Sequence, residues 1–194
     1  MDLFPPTQTP VLADAEGGVS YWPGFAGCAD ADAWFESLHA GVAWIAQRRK
    51  MYDRVVDVPR LTAAYRTGEL PGGLPLGEML AQVQAAVPAP YNAVGMNLYR
   101  DGRDSVAMHN DKLHTIIPGR PIALLSLGDP RRMLIRAKAG ARESVALELE
   151  HGSLLVMSHA SQLTHEHGIP KTTRAVGPRM SVVFRVRPAN WKPD

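Results

Sequence analysis

From Asp30 to Gln47 apolar side chains recur at Trp34, Leu38, Val42 and Ile45, a stripe that predicts an amphipathic helix. A second stripe, Leu76, Met79, Leu80, Val83 and Val87, predicts another helix from about residue 76 to 87, stopped by Pro88. Beyond Pro88 the texture changes to short runs rich in Val, Ile, Leu and Phe, cut by Gly, Pro and Asp. These runs predict strands at residues 93–99, 122–127, 133–136, 144–149, 154–158 and 181–186. Short strands between turn signals point to a β-sandwich or barrel, with the helices backing one of its sheets.

A chain of 194 residues suits one domain with a sizeable core, and 45% hydrophobic with 21% charged residues is the balance of an ordinary globular protein. The formal charge of +2 does not mark a nucleic-acid binder, so any such partner must rest on local clusters. With Cys28 as its one cysteine the chain has no internal disulfide and no Cys-based zinc pattern, which favours a reducing compartment. The stretch before Ala13 carries Pro5 and Pro6 but neither the basic leader nor the apolar centre of a signal peptide. No run nears the roughly 18 apolar residues of a membrane span, and the expected location is the cytoplasm. No internal repeat is visible, and the Gly/Pro-rich link around Pro71, Gly72, Gly73 and Pro75 is too short to separate domains.

The candidate chemistry starts at His109-Asn110-Asp111. On an extended strand residues i and i+2 share a face, so this imidazole and carboxylate converge. A histidine from a distant strand would complete a two-His, one-carboxylate set whose open coordination positions suit non-haem iron(II) oxygenases. His165 and His167 both qualify, because an extended segment places them on the same side. Arg179 and Arg185 share a strand face, and a guanidinium fork pairs with carboxylate through parallel hydrogen bonds. Asn97 and Tyr99, two apart, point together into the same cavity.

The segment from Met96 through Asn97, Tyr99, Asp101 and Gly102 to His109 and Asp111 resembles the Asn-x-Tyr, Asp-Gly turn and His-x-Asp of the AlkB-type Fe(II)/2-oxoglutarate-dependent dioxygenases. His151-Gly152-Ser153 is similar to the strand that leads to that family's last metal ligand. His167-Gly168-Ile169-Pro170 and the stretch Arg179 to Arg185 follow in the order of its distal His and its Arg-x-Asn-x-x-x-Arg co-substrate motif. The resemblance spans roughly residues 50 to 187. It implies an α+β, mainly β fold, a double-stranded β-helix or jelly roll with supporting helices on one sheet. One domain would run over residues 1–194, with a helical part to residue 50, a substrate-covering segment at 51–75 and a jelly-roll core at 89–187. It also implies Fe(II) held by His109, Asp111 and His167, the last preferred over His165 because Gly168-Ile169-Pro170 follow it. For 2-oxoglutarate it implies Arg179 at the distal carboxylate, Arg185 near the chelating end, and Asn97 and Tyr99 as hydrogen-bond donors. Ser181 stands where the family usually has Asn, and its hydroxyl reaches less far.

The activity so implied is oxidative dealkylation of N-alkylated bases in single-stranded DNA or RNA. There 2-oxoglutarate ends as succinate and CO₂, and a hydroxylated N-methyl group collapses to formaldehyde. Arg48-Arg49-Lys50, Met51, Tyr52, Pro59-Arg60 and Tyr65-Arg66 mix cations with aromatics, as phosphates and bases require, and resemble the family's substrate-covering hairpin. Arg60 and Tyr65 are its candidate substrate contacts; in a second cluster, Arg131, Arg132, Arg136, Lys138 and Arg142, it is Arg136. Leu113, two residues past Asp111, occupies a position where base-repairing relatives commonly carry an acid, and it cannot accept from an exocyclic amine. That residue keeps open a hydroxylase or demethylase of a protein side chain or small metabolite. A binding module without activity is the third class, opposed by the intact His109, Asp111, His167, Arg179 and Arg185. The protein is expected to be monomeric.

Overall fold

The computed structural model describes residues 7–51, 53–140 and 144–193. Tyr52 and Arg142, and the side chains of Arg49, Lys50 and Met51, lie outside what is described. In chain order the elements are β1 (Thr9–Leu12), β2 (Val19–Trp22), α1 (Cys28–Gly41), β3 (Ile45–Met51), β4 (Arg54–Arg66), α2 (Leu76–Ala86), β5 (Ala93–Tyr99), β6 (Val106–His109), β7 (Ile122–Gly128), β8 (Arg131–Ala137), β9 (Ser144–Leu149), β10 (Ser153–Met157), α3 (His159–Thr164), β11 (His165–Ile169) and β12 (Arg179–Arg185).

The strands form an eight-stranded sheet, β1-β2-β10-β7-β12-β5-β4-β3, and a four-stranded sheet, β6-β11-β8-β9. Together they make the expected jelly roll, and side-chain alternation explains how it is filled. Along β12, Met180, Val182 and Phe184 join the core that holds Trp34 and Leu38 of α1 and Leu76, Met79 and Val83 of α2. Val183, on the opposite face, packs with Met133, Ile135 and Ile169 of the smaller sheet. One face of the large sheet therefore carries the helices, and the other closes on the second sheet.

Helix α1 stops earlier than the hydrophobic stripe predicts. Val42 leaves the helical region, with φ −79° and ψ 134°, after its N–H has bonded Leu38 O. The chain is extended again by Ile45, which is 47% exposed on β3 rather than buried on a helix. Ala31, Trp34 and Leu38 are the buried positions within α1. The segment before residue 50 thus holds strands as well as a helix, and β3 pairs with the long β4 as an antiparallel hairpin at the sheet's edge. No apolar alternation announces β3, because its sequence is mostly basic and polar. Among the described residues no helix is long and apolar enough to cross a membrane.

Candidate active site

Strands β6 and β11 are antiparallel neighbours in which His109 sits opposite His167, and their ring centroids are 4.6 Å apart. The approach is close. A Cβ on Gly168 would lie 2.9 Å from Val106 O, so only glycine lets β11 pass β6 immediately after His167. His109 Nδ1 lies 2.8 Å from Ala107 O; a carbonyl only accepts, so this nitrogen carries a proton and the neutral ring keeps a lone pair on Nε2. His167 is buried, and that burial, reinforced by His109, lowers its pKa to about 4. His165 begins β11 with Nδ1 2.9 Å from Thr164 Oγ1.

Asp111 follows β6. Its carboxylate takes Arg185 Nε at 2.5 Å and Nη2 at 3.1 Å. Burial alone would raise its pKa, but the guanidinium outweighs burial, aided by His167, and holds it down at about 2. Arg185 is thus drawn onto Asp111. Among the described residues no three of His, Cys, Asp or Glu converge closely enough to hold a metal ion; the imidazoles meet, and the carboxylate faces the guanidinium.

On the same inner face, Arg179 is among the largest fully buried side chains of the described residues. It stacks over the Tyr99 ring at 5.2 Å, donates from Nε to Ser126 Oγ at 3.1 Å, and leaves Nη2 buried without a partner. Its burial lowers its pKa to about 10, and burial pushes the Tyr99 hydroxyl pKa up. Arg131 lies over the same ring at 5.8 Å, but its guanidinium is engaged by the carbonyls of Asp101, Asp104 and Pro170. Register aligns one polar side chain from each of neighbouring strands: Thr62 opposite Asn97, Asn97 opposite Ser181, Ser181 opposite Ser126, and Ser126 opposite Ser153. Along this rung Asn97 Nδ2 donates to Ser181 Oγ at 3.2 Å, and Arg60 Nε donates to Asn97 Oδ1 at 2.7 Å.

A cavity of about 730 Å³ opens between the β3–β4 hairpin and these groups, lined among others by Val58, Arg60, Asn97, His109, Asp111 and Arg185. Tyr99, His167, Arg179 and Ser181 are buried and do not line it. Three expected substrate contacts stand apart from it. Tyr65 packs against the helix-side core, and Leu113 is 38% exposed on a 3-10 turn. Arg136 pairs with Glu166 across β8 and β11, on the face opposite Met133 and Ile135. Alternation accounts for Tyr65 and Arg136, because each lies one residue out of phase with the inward positions. Sequence reasoning missed Ser126, which orients Arg179, and Gln162, whose Oε1 accepts the Asp111 N–H at 3.0 Å. It also missed Trp191 on the cavity wall. Small polar residues inside apolar strands carry no periodic signal of their own.

Residues 74–185 match the family model described as the 2OG-Fe(II) oxygenase superfamily. The chain is 34% identical over 200 residues to bovine "Alpha-ketoglutarate-dependent dioxygenase alkB homolog 3", covering 89% of this chain and 69% of that protein. The chain belongs to the AlkB branch of the 2OG-Fe(II) oxygenases. Human "DNA oxidative demethylase ALKBH2" is 30% identical over 181 residues, 82% of this chain and 69% of the relative. The solved "structure of OsALKBH1" overlays with a TM-score of 0.62 at 14% identity, covering 88% of this chain and 97% of that one, and shares the fold.

An AlkB-type oxygenase requires Fe(II) and 2-oxoglutarate, and the donor types suit both, with the Asp111 carboxylate held by Arg185 rather than gathered with the two imidazoles. His109 presents Nε2 and His167 is neutral at physiological pH, as imidazole ligation requires. Asp111 is ionised, and the unpartnered Nη2 of Arg179 is what a buried carboxylate would satisfy.

Proposed function

We propose that this AlkB-type dioxygenase removes alkyl groups from the nitrogens of nucleic-acid bases, acting on single-stranded DNA or RNA. The observation that carries the reading is the 730 Å³ cavity, which sets His109 and Asp111 opposite a hairpin contributing Val58, Pro59 and Arg60. Its size suits a flipped or unstacked base. The relatives' names point the same way, one being a DNA oxidative demethylase.

His109, Asp111 and His167 would hold Fe(II), and Arg179 would grip the distal carboxylate of 2-oxoglutarate, backed by Tyr99, Ser126 and Ser181. When bound, that pair supplies the oxidising power that converts a C–H bond and O₂ into a C–OH bond, with succinate and CO₂ as co-products. The protein's own residues position and shield. Arg185 neutralises Asp111, Asn97 links Arg60 to Ser181, and the hairpin narrows solvent access. Hydroxylation at an N-methyl carbon leaves a hemiaminal, which releases formaldehyde and restores the nitrogen. The whole chain, residues 1–194, would act as one domain, as a monomer in the cytoplasm.

Offered N-methylated single-stranded DNA, duplex DNA and RNA oligonucleotides with Fe(II) and 2-oxoglutarate, the protein should release formaldehyde fastest from single strands. Leu113 favours a second reading, since no acid stands two residues beyond Asp111 to meet an exocyclic amine. Succinate formation without formaldehyde from any oligonucleotide would shift the substrate to a protein side chain or small metabolite.

A further inference from the structure

We infer that Gln162 is a positioning residue for the metal site, fixing the backbone of Asp111 from a short helix that also delivers His167. Gln162 is 1% exposed, and its Oε1 accepts the Asp111 N–H at 3.0 Å across 51 residues of chain. Its amide is held in turn. Nε2 donates to Ser161 Oγ at 3.2 Å and lies 3.8 Å from Met157 Sδ, so the acceptor oxygen faces Asp111.

The helix itself is clamped at both ends. Ser158 Oγ accepts from Ser161 N at 2.9 Å as the N-cap and donates to Asp14 Oδ2 at 2.6 Å. Asp14 belongs to the turn between β1 and β2, where it also accepts from the N–H groups of Glu16 and Gly18. At the other end Lys138 Nζ donates to the carbonyls of Gln162 and Leu163 at 2.7 and 3.2 Å. Helix α3 then runs without a break into β11, which carries His167. One rigid unit therefore sets His167 through the chain and Asp111 through Gln162. The distance between the Asp111 carboxylate, just past β6, and the His167 imidazole on β11 depends on it.

The inference rests on His109, Asp111 and His167 being the ligands, and the test separates the two claims. Mn(II) affinity is measured by electron paramagnetic resonance on the parent, Gln162→Leu, Gln162→Met and His109→Ala, with amide exchange at Asp111 followed by NMR. Gln162→Leu should weaken Mn(II) binding about ten- to a hundredfold and accelerate exchange at the Asp111 amide, with exchange in β8 and β12 unchanged. Gln162→Met, flexible and of similar reach, should do the same and serves if the leucine variant fails to fold. Parent-like Mn(II) affinity in both Gln162 variants alongside its loss in His109→Ala would overturn the role of Gln162 alone. Unchanged affinity in His109→Ala would overturn the ligand assignment beneath it.

Discussion

A fully buried guanidinium is an unusual thing for a strand to carry, and Arg179 donates to Ser126 Oγ and lies over the Tyr99 ring while its Nη2 goes unmatched. Desolvating such a cation costs several kcal/mol, which incomplete pairing does not fully offset. Function and stability are therefore expected to part at this side chain. Arg179→Met should weaken 2-oxoglutarate binding about a hundredfold, from titration calorimetry, without lowering the melting temperature of chelator-treated protein. A matching loss of both would mean that the arginine serves the fold rather than the co-substrate. His109→Ala and Asp111→Ala are each expected to abolish succinate formation, because two remaining donors hold a divalent ion poorly. Turnover at the parent rate in either would refute their assignment. These side chains were legible in the sequence because their types and spacing are chemically specific. Ser126 and Gln162 were not, since a serine in a strand and a glutamine in a short helix gain meaning only from what they touch.

The elements that shape the cavity were legible in proportion to their apolar periodicity. The strand predicted at 93–99 and the one at 144–149 coincide with β5 and β9, where alternation or β-branched residues mark the run. Strands β6 and β11 carry no apolar alternation of their own and are legible as extended only around their histidines, with β6 ending at His109 rather than running on to Asp111. The turn between β5 and β6 has its own support. The buried Asp104 carboxylate accepts from Arg100 N, Nε and Nη2 at 2.9, 2.8 and 2.9 Å. Burial opposes ionisation here, but the Arg100 contacts prevail and hold the pKa below its ordinary 3.8. A depressed folded-state pKa gives stability that is complete above the unfolded value and fades as pH falls through the folded one. Asp104→Asn should therefore cost about 1 to 2 kcal/mol at pH 7 in urea titrations, with the gap from the parent shrinking below pH 4. A gap that stays constant down to pH 2 would show that the carboxylate charge contributes nothing to the turn.

Across the molecule, a helix-backed large sheet and a smaller sheet divide the labour. The face toward α1 and α2 is largely apolar, and the face toward the second sheet gives up part of its packing to polar groups. Fold class was readable from the short apolar strands between turn signals and from the family motifs; the arrangement of the second face depends on register between distant strands, which one sequence does not display. The aligned side chains Thr62, Asn97, Ser181, Ser126 and Ser153 follow from that register. Ser126 and Ser181 sit directly opposite each other across β7 and β12 and are both buried, so the effects of losing them should overlap. Ser126→Ala and Ser181→Ala are each expected to destabilise the protein, while the double variant should fall short of their sum by at least about 0.5 kcal/mol in urea titrations. Strict additivity would mean that the file is a coincidence of pairing. If saturation holds, the interior tolerates wholesale replacement of the row better than it tolerates a single gap, and drift there should come in groups.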